Sequence, residues 1–192
     1  LKDVPDVRGR DAVVAALNGV MGDYLVASKN SLATTMTLRH KGHALTLTRE
    51  AMAAALPQAT GKIVVLVHGL CMNDAQWNRR DANGASHDHG AALQRDLGCT
   101  PVYLRYNSGL HVSTNGKALS GLLEELVAAW PVAVEELSLV MHSMGGLVSR
   151  SAHHYACESK QRWIGTLRSM IFLGTPHHGA PLERGGNWVD VI

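Results

Sequence analysis

The chain has 192 residues, 46% hydrophobic and 18% charged, so it is long enough to bury a sizeable core and too apolar to be disordered. A formal charge of +2, with 18 basic residues scattered along the chain, excludes a nucleic-acid-binding stripe. Cys71, Cys99 and Cys157 are widely spaced and form no C-x-x-C pair, which excludes a disulfide framework and a zinc site and leaves reduced, small hydrophobes.

Val13, Leu17, Val20, Met21, Tyr24 and Leu25 recur at helical spacing. They predict an amphipathic helix that packs its apolar stripe on the body of the protein, with a lid or membrane-touching helix as the alternative. This stretch is interrupted by Asn18, Gly19, Gly22 and Asp23, and no run reaches the roughly 20 apolar residues of a membrane span. Residues 34–38 and 44–48 flank a Lys41-Gly42 turn and predict a hairpin, followed by a short helix over 49–56. These first 60 residues form an N-terminal extension, and the core is expected over 61–192.

From there the rhythm changes. The continuous run Lys62-Ile-Val-Val-Leu-Val67 predicts a strand buried on both faces. Helices are expected over 90–97, 116–130 and 144–157, alternating with strands over 101–106, 136–141 and 167–173. Such alternation specifies a mostly parallel sheet in a three-layer α/β/α arrangement, with its active edge at the carboxyl ends of the strands.

Two motifs sit at that edge. In Leu137-Ser-Leu-Val-Met-His-Ser-Met-Gly-Gly-Leu-Val148 an apolar strand runs into a helix through a tight turn with Ser143 at its apex. The usual nucleophile elbow reads G-x-S-x-G; Gly145 meets the second position, and Met141 departs from the first, which is expected to widen the turn or shift the helix. The bland alternative for Ser143 is a helix N-cap. The second motif, His68-Gly69-Leu70, follows the first buried strand. An acyl-transfer intermediate needs two preorganised N–H donors, and the backbone of Met144 and Leu70 is placed to supply them.

Other polar residues carry weaker signals. Gly174-Thr-Pro-His-His-Gly179 offers His177 and His178, read as pocket-wall or supporting groups, not as the general base. His142, next to the serine, is expected to point away from the hydroxyl into the body. Tyr106, in Tyr103-x-Arg105-Tyr106-Asn107, either lines the substrate pocket or serves structural hydrogen bonding. His87-Asp88-His89 reads as a polar helix start, with no further cluster at metal-ligand spacing.

Val-Leu-Val-His-Gly-Leu, His-Ser-Met-Gly-Gly-Leu-Val and Leu-Gly-Thr-Pro-His-His-Gly together resemble the α/β-hydrolase superfamily. Within it they are similar to a lipase-like branch that includes bacterial relatives of the GPI inositol-deacylases. The resemblance covers residues 62–179. It implies an ester-cleaving Ser-His-Asp enzyme without metal or organic cofactor, with Ser143 as nucleophile and Leu70 and Met144 as oxyanion donors. In that superfamily the acid and then the histidine follow the serine. Glu183 and Asp190 read as solvated charges, so both partners are expected beyond Ile192.

The leading expectation is a serine-dependent carboxylic ester hydrolase acting on a small-molecule or lipid ester. The alternatives are an acyltransferase, thioesterase or amidase using the same site, and a non-catalytic binding protein on the same fold. The start at Leu1 without Met and the stop soon after a strand lead to the expectation that the sequence is truncated at both ends. Localisation is left open, with the cytoplasm slightly favoured.

Overall fold

A computed structural model describes residues 7–80 and 83–178. Its elements in chain order begin with α1 (Val7–Ala27), β1 (Thr37–His40), β2 (His43–Ala44), α2 (Arg49–Ala55) and β3 (Lys62–Val67). A 3₁₀ turn (Asp74–Trp77) leads to β4 (Asn78–Arg80), β5 (Ser86–Asp88), α3 (His89–Leu97), β6 (Thr100–Arg105) and α4 (Val112–Ala129). Then come β7 (Glu136–His142), α5 (Met144–Glu158), a second 3₁₀ turn (Arg162–Thr166) and β8 (Leu167–Leu173).

The main sheet has the order β2-β1-β6-β3-β7-β8. Strands β6, β3, β7 and β8 are parallel neighbours, and β1 joins β6 antiparallel. This is the α/β layering that the strand–helix alternation specifies. The hairpin forms with Lys41 and Gly42 both at positive φ, and its first strand continues the main sheet by pairing Leu38 with Leu104. The small β4–β5 hairpin was not legible in the sequence.

The core lies on both faces of β3, where Ile63 to Val67 are buried without a break. On one face, Leu119, Leu123 and Leu126 of α4 and Val148, Ala152 and Ala156 of α5 pack over Val65, Val67 and Leu139 with Trp130 and Trp163. On the other, Leu66 and Val140 meet Trp77 and Tyr103. Trp130 Nε1 donates to the Thr60 carbonyl at 2.9 Å, and Trp163 Nε1 to Gln161 Oε1 at 2.7 Å, so both indoles are buried with their polar atoms satisfied.

The N-terminal helix reverses one expectation. Its buried seam is Ala15, Asn18, Gly22 and Leu25; of the apolar stripe singled out by spacing only Leu25 turns inward, while Val13, Leu17, Val20, Met21 and Tyr24 face outward, with Val20 77% and Tyr24 61% exposed. Small residues win the interface because they allow the helix to approach the loops at the sheet's edge closely. Asn18 can be buried there because it donates to the Val14 and Leu32 carbonyls and accepts from Thr34 N–H. The helix is also interrupted at Met21, whose φ of −128° and ψ of 24° are not helical. Among the described residues no helix is long and apolar enough to cross a membrane.

These placements separate two substitutions. Leu123→Ala, in the fully buried α4 seam, is expected to cost about 3 kcal/mol in urea unfolding. Val20→Asp is expected to change stability by no more than about 0.5 kcal/mol. A large loss from Val20→Asp would mean that the outward stripe is packed in solution.

Candidate active site

Strand β7 delivers the chain into α5 through Ser143, which has φ 51° and ψ −125°. A residue with a side chain is rarely found there, at a cost on the order of 1–3 kcal/mol. Two constraints hold it. The Ser143 N–H donates to the Leu173 carbonyl at the end of β8 at 2.8 Å, and the Ser143 carbonyl accepts from Gly146 N–H at 3.1 Å. The start of α5 also presses on the end of β3: a Cβ on Gly145 would meet the His68 carbonyl oxygen at 2.5 Å and that of Val67 at 2.9 Å. Those neighbours are backbone and cannot step aside, so position 145 requires glycine.

The Ser143 side chain makes no capping hydrogen bond to α5, which removes the N-cap account of this serine. Met141, the departure from the elbow pattern, is wholly buried in the core, and β7 keeps its register there, opposite Val67 and Phe172. The expected widening is not needed, because the Met141 side chain belongs to the core and the close approach at Gly145 is kept.

The loop after β3 comes up beside the serine. A Cβ on Gly69 would lie 3.1 Å from Ser143 Cβ and 3.1 Å from His142 Nδ1. Leu70 follows and is 48% exposed. The next amide, Cys71 N–H, is committed to Ser108 Oγ at 3.0 Å, which anchors the far end of the turn. Met144 is the first residue of α5, at the end of the helix where backbone N–H groups have no intrahelical acceptor. Leu70, Met144 and Ser143 therefore converge at the carboxyl edge of β3 and β7.

His68 and Tyr106 lie beneath this loop as a buried pair. Their rings stack with centroids 4.3 Å apart. Tyr106 O–H donates to the His68 carbonyl at 3.0 Å, and Tyr106 N–H approaches His68 Nε2 at 3.3 Å. His68 Nε2 is thus the acceptor, and Nδ1 carries the proton towards the Gly69 carbonyl at 2.9 Å. Burial pushes the His68 ring down to about 4, and the nearby Arg105 works in the same direction. Tyr106 is itself buried, with its hydroxyl and its N–H both engaged with His68.

Two histidines differ from or sharpen the sequence reading. His142 was expected to turn into the body; its half-buried ring instead lies against Gly69, and among the described residues its Nδ1 has no hydrogen-bond partner. His177 lies with Nδ1 3.1 Å from Arg150 Nη1 and its ring edge on Phe172. Glu183 and Asp190 lie outside the described residues. Arg39, Asp74, Arg105 and Asp11, which form a chain of ion pairs beside the Leu70 loop, were missed by sequence reasoning because they come from four separate elements.

The parallel sheet, the strained serine at the strand–helix turn and the glycine loop beside it define the α/β-hydrolase fold. A family model, the PGAP1-like alpha/beta domain, matches residues 58–191, and the chain belongs to that family. Among solved structures the chain is similar to a Bacillus licheniformis lipase, BlEst2. Its propeptide form is 23% identical with a TM-score of 0.50, over 77% of this chain and 27% of that one. Its mature form is 22% identical with a TM-score of 0.52, over 80% of this chain and 51% of that one. The chain thus spans between a quarter and a half of those lipase chains. No curated protein sequence matches it.

The buried imidazole gives a pH dependence with a definite sign. The folded His68 titrates near 4 and the unfolded ring near 6.5, so the unfolded state binds the proton more readily. Stability from the neutral ring is complete above pH 6.5 and is lost as pH falls towards 4, by roughly 3 kcal/mol in all. Urea midpoints measured across this window should fall less in His68→Asn than in the wild type. Equal slopes would contradict the buried neutral ring.

Proposed function

We propose that the protein is a carboxylic ester hydrolase in which Ser143 is the nucleophile and the backbone N–H groups of Leu70 and Met144 bind the oxyanion. The observation that carries this reading is the conformation of Ser143: a left-handed serine at a strand–helix turn, free of any capping bond, is costly unless its hydroxyl has a task. The convergence of Leu70 and Met144 beside it supports the same chemistry, as does membership of a family built on this fold.

In this reading Ser143 Oγ attacks the ester carbonyl while a histidine takes its proton. The carbonyl oxygen becomes the negative oxygen of the tetrahedral intermediate and is held by the two amides. Collapse expels the alcohol, which leaves with that proton, and water then releases the acid from the acyl-serine. That histidine and the acid that orients it would follow Ser143 along the chain, in the order serine, acid, histidine. His177 serves as a supporting group, because it is engaged with Arg150. Thioester cleavage, amide cleavage and acyl transfer to another alcohol would use the same three groups.

A fluorophosphonate probe on the full-length protein tests the nucleophile. It should label Ser143 in the wild type and leave Ser143→Ala unlabelled, with ester turnover reduced by roughly a millionfold in that variant. A folded wild type that resists labelling at Ser143 would remove the proposal in favour of a binding protein.

A further inference from the structure

The matched family domain begins at residue 58, yet a helix that precedes it touches the loop bearing Leu70. Gly19 of α1 sits on the backbone of Cys71, where a Cβ at position 19 would meet the Cys71 nitrogen and Cα at 2.8 Å each. Two turns earlier along α1, the Asp11 carbonyl accepts from Asn73 Nδ2 at 3.1 Å. One helix thus grips the loop on both sides of Met72.

The grip continues through a second loop. Ser108 Oγ, which accepts the Cys71 N–H, belongs to a segment that is itself pinned to α1. Asn107 Nδ2 donates to the Gly22 carbonyl at 3.0 Å, and a Cβ on Gly109 would meet the Gly22 nitrogen at 2.8 Å. The buried Asn115 of α4 holds that segment from behind, donating to the Asn107 carbonyl at 2.9 Å. At the centre of these contacts Cys71 has φ 58°, a conformation that a residue with a side chain leaves unless its surroundings hold it. Its neighbour Leu70 is 48% exposed.

We infer that α1 is a positioning element of the oxyanion hole: Gly19 pressed on Cys71, with Ser108 bracing the same residue, fixes the turn that aims the Leu70 N–H. This rests on the reading of Leu70 as an oxyanion donor. Neither Gly19 nor Ser108 touches the reacting atoms; both act through the direction of one amide. A donor displaced by about 1 Å loses much of its effect on a developing oxyanion, on the order of a hundredfold in rate. Ground-state binding of the ester, which does not depend on that amide, is unaffected.

The test uses the full-length protein with Gly19→Ala and Ser108→Ala, a soluble ester, and a boronic acid whose tetrahedral serine adduct presents a negative oxygen. We expect kcat to fall roughly tenfold to a hundredfold in each variant, with KM within about twofold of wild type. Boronate affinity should fall in step with kcat, while the fluorophosphonate still labels Ser143 to completion. Should Gly19→Ala fail to fold, Ser108→Ala, which loses only a hydroxyl, decides the matter with the same readouts. Wild-type kcat and boronate affinity in a folded variant overturn the positioning role and leave Ser143 as nucleophile. A rise in KM with boronate affinity unchanged overturns it equally. Failure of the functional reading looks different: the wild type itself neither labels nor turns over ester.

Discussion

The structure depends on one close approach, where the start of α5 presses against the carboxyl end of β3. The contact leaves no room for a side chain at Gly145, whose Cα faces the His68 and Val67 carbonyls. Because α5 must begin there, the chain leaving β7 has a single residue in which to turn, and Ser143 takes the strained conformation that results. The same contact brings the β3 loop and the helix N-terminus together, so the serine and both candidate amide donors share one origin. Strain at Ser143, on the order of 1–3 kcal/mol, is sustained by the packing of α4 and α5 over a strand buried along five consecutive residues.

Below the site, the neutral His68 imidazole and Tyr106 form a buried hydrogen-bonded pair that ties β3 to the end of β6. Beside it, the ion-paired Asp74 joins β1 and β6 to the 3₁₀ turn, and through Arg105 to α1. The Leu70 loop is therefore supported from below by a buried pair and from the side by charges and a helix, although its own residues are partly exposed.

Much of this was legible in the sequence, for reasons specific to particular residues. The β-branched run from Ile63 to Val67 allows only a strand covered on both faces, and the helix starting at Met144 is announced by the apolar strand and double glycine around it. Gly145 was readable because the elbow motif encodes a distance between backbones. Met141 broke the motif's lettering without breaking its geometry, since its side chain enters the core. The orientation of α1 was not legible. Periodicity finds the greasier face, but the partner surface, made of Cys71, Asn107 and Gly109, selected the smaller one, and nothing local in sequence records that choice. The ion-pair chain and the Ser108 bond escaped for the same reason: each joins residues from distant elements.

A structure of the full-length protein with Ser143 phosphonylated tests the central claim most directly. The account predicts a covalent bond at Ser143 Oγ, with the phosphoryl oxygen within about 3 Å of the Leu70 and Met144 amide nitrogens. An adduct on another residue, or a phosphoryl oxygen turned away from both amides, would contradict it.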